Sequence, residues 1–92
     1  MTTETITLAD RPGALAGALE AILLKSADDG RAMLVASLAV DYAAQVAPGA
    51  TLSLDAQVDR ATRSLVFVRA LAKLDDGAVA ATASAVLRVV GV

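Results

Sequence analysis

Glu20 is the residue on which any chemistry would turn. It is the one charged group after the opening Asp-Arg-Pro of DRPGALAGALEAILL, residues 10–24, a run otherwise built from Ala, Leu, Gly and Ile. The 92-residue chain has no Cys and no His, which removes the disulfide, the thiol nucleophile, the imidazole base and the usual zinc site together. Carboxylates, hydroxyls and backbone dipoles are left, and neither a metal nor an organic cofactor is expected. Ser37, Ser64 and Ser84 have no His to activate them, and no Lys is placed beside them by spacing. Glu20 has no basic residue three or four positions away, since 16, 17, 23 and 24 are Ala, Gly, Leu and Leu. Among such neighbours its carboxylate is expected to be partly desolvated, a setting that suits a general base. The same position also suits a solvated helix residue, or one half of an ion pair across a dimer interface.

The element that must position Glu20 is a helix. It is expected to open at Asp10, Arg11 and Pro12, with Asp10 as N-cap and Pro12 in the first turn, and to run to about Ala27. The tripeptide Asp28-Asp29-Gly30 ends it, with Gly30 in a left-handed position. On a helical wheel, Leu15, Ala18, Leu19, Ile22, Leu23 and Ser26 form one stripe, which is expected to lie on a sheet. Gly13, Ala16, Gly17, Glu20, Leu24 and Ala27 form a second stripe of mostly small residues. A helix with two faces of low polarity is expected to be sandwiched.

The rest of the chain alternates with period two. Residues 5–8 read as a short strand, and residues 31–42 place Ala32, Leu34, Ala36, Leu38, Val40 and Tyr42 on one face. Pro48-Gly49 is a turn, after which residues 50–60 send Leu52, Leu54, Ala56 and Val58 inward. Residues 61–63 form a short connection to a strand over 64–74, and Asp75-Asp76-Gly77 is a hairpin turn into a strand over 78–90. The long strands are expected to follow one another in an antiparallel meander. Asp41, Asp55 and Asp59 fall on its polar face, and neither Asp-Asp-Gly has the spacing of a calcium loop.

Composition limits the partners. Hydrophobic residues make up 57% of the chain, with Tyr42 and Phe67 the only aromatics. The mean hydropathy is +0.63. A domain this short buries only roughly 60–65% of the surface its unfolded chain exposes. That leaves more apolar surface than its core can hide, so self-association is expected. Ten acidic against eight basic residues, the latter spread along the chain, argue against nucleic acid. No uncharged apolar run approaches the ~18–20 residues that span a bilayer, and acidic residues precede the first basic one, so no membrane is expected and the cytoplasm is the expected compartment.

Taken in order, these elements and several residues resemble the hot-dog superfamily, an α+β fold whose antiparallel sheet, here of about five strands, wraps one long central helix. The likeness covers nearly the whole of residues 1–92, read as a single domain. Residues 37–89 look like the strand region of small acyl-CoA thioesterases of the phenylacetate-pathway and 4-hydroxybenzoyl-CoA types. Val40-Asp41-Tyr42, Pro48-Gly49, the series Val58, Arg60, Arg63, Phe67, Val68, and Asp75-Asp76-Gly77 with Ala80-Ala81-Thr82-Ala83 come in the order and spacing of that family. The family's signature is His-Gly-Gly at the start of the helix, followed nine residues after the His by an Asp or Glu. Here Arg11-Pro12-Gly13 stands in place of the triplet, and Glu20 stands nine residues after Arg11. The carboxylate is kept and the His is not.

The resemblance implies hydrolysis of an acyl-CoA thioester, with Glu20 as general base or as nucleophile through a mixed anhydride. It also implies a binding site at the interface of a homodimer, alone or within a homotetramer, with subunits joined edge to edge into a continuous sheet. The first Gly of the triplet normally gives its N–H to the thioester oxygen, but Pro12 has none. Gly13 is then the nearest oxyanion donor. Arg60 and Arg63, on either side of a turn, suit CoA phosphates and equally suit a solvated hairpin. The alternative implied by Pro12 is a non-catalytic hot-dog protein that binds acyl-CoA or serves as a dimeric assembly or regulatory module. Dehydratases and hydratases of the fold work through a His, which this chain lacks.

Overall fold

The computed structural model describes residues 1–91: β1 (Thr2–Thr7), α1 (Ala14–Ala27), β2 (Met33–Tyr42), β3 (Thr51–Ala61), β4 (Leu65–Lys73) and β5 (Val79–Val89). The strands form one antiparallel sheet that curves around α1, so the expected hot-dog architecture is present. Its strand order is β1-β3-β4-β5-β2. The meander holds for β3, β4 and β5 but not for β2, which pairs with β5 at the far edge of the sheet. The reason is an occupied edge. β1 pairs with one side of β3 and β4 with the other, so β3 has no free side for β2.

Small residues on the sheet let the helix come close. The inner face of β3 and β4 carries Leu52, Leu54, Ala56, Val66, Val68, Ala70 and Ala72, all buried, and α1 packs chiefly on these two strands. Leu15, Leu19, Ile22, Leu23 and Ala27 point from the helix into that floor. The expected stripe is therefore correct at its centre, with Ala18 and Ser26 half-buried at its margins. Ala27, expected on the second stripe, is buried as well. Its burial comes at the helix end, where the chain turns toward β2.

A bulge corrects one of the strand readings, and exposure corrects another. In β2 the register shifts between Val35 and Ser37, so one extra residue reverses the alternation. Met33, Val35, Leu38 and Val40 pack on the core, while Leu34 and Ala36 face outward. A second shift, between Val58 and Arg60, lies where Val58 emerges 40% exposed instead of buried. Tyr42 is 61% exposed at the end of β2. Among the described residues, no helix is long and apolar enough to cross a membrane.

Candidate active site

Pro12 decides where the helix begins. A residue before proline is driven out of the α region, so Arg11 cannot be helical and the first regular turn starts after the proline. The N-cap is Gly13, at φ 74° and ψ 7°, with no side-chain cap; Asp10 does not take that role. Only glycine adopts this left-handed conformation without strain. The Ala14 N–H reaches the Arg11 carbonyl at 3.3 Å and the Gly17 N–H reaches that of Gly13 at 2.9 Å. Among the described residues the Gly13 N–H has no backbone acceptor.

A cleft of about 600 Å³ opens beside this turn. One wall is the segment from Leu8 to Leu15, with Arg11 and Gly13, and the other is the end of β2 and the loop after it, with Tyr42 and Gln45. The walls are clipped together. Leu8 donates its N–H to the Ala50 carbonyl at 2.9 Å and accepts the Gly49 N–H at 2.8 Å, with Gly49 at φ 86°. Sequence reasoning missed Gln45 altogether and gave Tyr42 only a place on one face of a strand. No local signal could have found them, because the clip joins positions some forty residues apart.

Glu20 lies elsewhere. It is exposed on the face of α1 turned away from the sheet and makes no ion pair or side-chain hydrogen bond among the described residues. Gly17 and Ala21 beside it are also exposed. The expected partial burial is absent because the sheet covers only the opposite face of the helix. Gly13 and Glu20 are seven residues apart, or about 10 Å along a helix axis. Glu20 does not line the cleft that Gly13 lines.

The proposed phosphate contacts sit at the other end of the molecule. Arg31, just past the C-terminal end of α1, donates to the carbonyls of Thr62 at 3.0 Å and Arg63 at 3.2 Å. The 62–64 turn, and Arg63 with it, is thus at the opposite end of the helix from Gly13. Arg60 pairs with Phe67 across the sheet, and both Arg60 and Arg63 are exposed. The Arg31 guanidinium also grips Asp29, at 2.8 Å, and its hydrogen bonds hold the Asp29 carboxyl below its ordinary range.

Both Asp-Asp-Gly tripeptides are turns. Asp28 accepts the Gly30 N–H at 3.1 Å, Asp76 accepts the Ala78 N–H at 2.9 Å, and Gly30 and Gly77 have φ of 93° and 86°. Of the polar strand residues, Asp55 meets Thr3 and Lys73, and Asp59 meets Arg69. Among the described residues no three His, Cys, Asp or Glu side chains converge as metal ligands.

Comparison with known proteins gives this geometry a setting. A family model described as thioesterase superfamily matches residues 6–81. No curated protein matches the sequence significantly. Among solved structures, smu.793 from Streptococcus mutans, determined with acetyl-CoA bound, superposes with a TM-score of 0.87 at 18% identity, covering 98% of this chain and 81% of that one. A hypothetical thioesterase protein from Streptococcus pneumoniae, solved with coenzyme A, gives 0.86 at 13% identity over 97% of this chain and 77% of its own. The Escherichia coli PaaI protein of the phenylacetic acid degradation operon gives 0.80 at 18% identity, over 97% and 70%. At these identities the likeness to the solved structures establishes the fold.

Proposed function

This chain belongs to the thioesterase superfamily, and from that premise we propose that it hydrolyses an acyl-CoA thioester, with Glu20 as the acid/base and Gly13 as a backbone donor to the oxyanion. The observation that carries the reading is a pair of groups uncommitted among the described residues: a left-handed Gly13 whose N–H has no backbone acceptor on the wall of a cleft, and a helix carboxylate with no ion-pair partner. The acetyl-CoA of the Streptococcus mutans protein supports the ligand class, and that class supports a cytoplasmic compartment.

The two groups do not meet within one copy. An attacking water must lie within hydrogen-bond reach of its base, and about 10 Å of helix separates Glu20 from Gly13. In a two-fold pair with antiparallel helices, Glu20 of the partner subunit would move toward this subunit's Gly13. An edge-to-edge homodimer through β2 also covers an exposed edge strand and the open face of α1. Arg60 and Arg63 are proposed as contacts for the CoA phosphates, whose paired oxygens match an Arg fork.

In the reaction, Glu20 takes a proton from water as the water oxygen bonds to the thioester carbon. The carbonyl electron pair moves onto oxygen, where the N–H of Gly13 stabilises it. When the pair returns, the C–S bond breaks, and CoA leaves as thiolate and takes the proton from Glu20. The alternative, a hot-dog module that binds acyl-CoA without cleaving it, is favoured by one observation, the absence of an N–H at Pro12.

Free-thiol release from short, long and aromatic acyl-CoAs, compared between the native chain and Glu20→Gln, separates the two. A general base typically contributes about 10²–10⁴-fold, so release should fall by that much in the variant. Binding without release from any substrate, with both proteins folded and dimeric, would refute hydrolysis in favour of the binding module.

A further inference from the structure

We propose that the guanidinium of Arg11 is the main oxyanion donor of this site, replacing the N–H that Pro12 lacks. The inference deepens the hydrolytic reading and rests on it.

Arg11 and Gly13 line the same cleft, while the residue between them has no N–H to offer. The backbone carbonyls of Arg11 and Gly13 are tied down by the Ala14 and Gly17 amides. Two donors of this turn are then left on the cleft wall, the N–H of Gly13 and the side chain of Arg11, and only the second carries a charge. It is also uncommitted. Among the described residues, Lys25, Arg31, Arg69 and Lys73 form ion pairs with acids, whereas Arg11, Arg60, Arg63 and Arg88 form none, and of these four Arg11 alone lines this cleft, although Asp10 shares its wall. Arg31 shows the contrast, with its guanidinium divided between Asp29 and two carbonyls.

A cation in this place acts on the transition state more than on the substrate. Charge-assisted hydrogen bonds are roughly twice as strong as neutral ones, so Arg11 gains most when the carbonyl electron pair has moved onto oxygen and least with the neutral thioester. When the pair returns and the C–S bond breaks, the oxygen is again a carbonyl and the contact weakens. The opposite wall carries neutral donors only, the hydroxyl of Tyr42 and the amide of Gln45.

The test compares two ligands by calorimetry: a trifluoromethyl ketone analogue of acetyl-CoA, whose hydrate carries a tetrahedral oxygen, and propyl-CoA, a thioether without a carbonyl. The native dimer should bind the ketone at least about tenfold tighter, and Arg11→Gln should erase that preference, while Arg11→Lys keeps part of it and Tyr42→Phe keeps it whole. In thiol release, Arg11→Gln should lower kcat on the order of 10²-fold with KM little changed. A preference that survives Arg11→Gln, that disappears in Tyr42→Phe instead, or that is absent from the native protein overturns the proposal. Because the ligand preference needs no turnover, absence of thiol release from the native protein would refute hydrolysis alone and leave the role of Arg11 to be judged by binding.

Discussion

Gly17 stands where the single chain and the proposed dimer make opposite demands. It is exposed in the middle of α1, and a Cβ built there meets nothing within 4 Å. For the isolated subunit, Gly17→Leu should stabilise, since leucine is about 0.8 kcal/mol better than glycine in a helix interior. If a second helix packs on this face, the added side chain has no room. Overpacking typically costs about 1–3 kcal/mol per site, and a two-fold axis repeats it, giving about 2–6 kcal/mol against association. Dimer affinity should then weaken roughly 30-fold to 10⁴-fold. Light scattering over a concentration series should show the native chain as a dimer at micromolar concentration and the variant shifted to monomer, while urea unfolding of that monomer shows no loss of stability. A variant that stays dimeric at the same concentrations, or a native chain that is monomeric, would refute the packing of a partner on this face.

Two further outcomes follow from contacts within the subunit. Leu19 is fully buried against a floor that includes Ala56, Ala70 and Ala72, whose side chains are too short to close a hole, so Leu19→Ala should cost about 3–5 kcal/mol in urea unfolding of the Gly17→Leu monomer; a loss under about 1 kcal/mol would mean that the sheet collapses onto the helix. Asp29 has its carboxyl held below the ordinary 3.8 by Arg31, so its contribution to stability is present above that pH and lost as the pH falls below it. Asp29→Asn should therefore lower the Tm at pH 7 by an amount that shrinks with salt and with falling pH once the pH drops below 3.8, and a deficit that does not shrink in acid would point away from the ion pair.

How much of this was legible in the sequence depended on how local each signal was. The buried stripe of Leu15, Leu19, Ile22 and Leu23 is written in a 3.6-residue period, and the inner faces of β3 and β4 in a period of two, because side-chain direction follows from backbone geometry alone. The 75–77 turn needs only its Asp and its Gly. The resemblance to a hot-dog thioesterase was legible for the same reason: it rests on residue types at set spacings, and the family match over residues 6–81 agrees with it. The bulge near Ala36 was not legible, because one extra residue in a strand leaves no mark on composition and yet moves Leu34 to the opposite face.

The sequence by itself determined the elements, their periodicities and the absence of any His or Cys chemistry, since those depend on residues within a few positions of one another. Tertiary structure alone decided three things. It sent β2 to the edge of β5, because β1 had already occupied β3. It brought Tyr42 and Gln45 across from Arg11 and Gly13, because the Leu8 clip closes a loop of some forty residues. And it left Glu20 on an open helix face outside the lining of the cleft, because a sheet of five strands covers only one side of the helix it wraps.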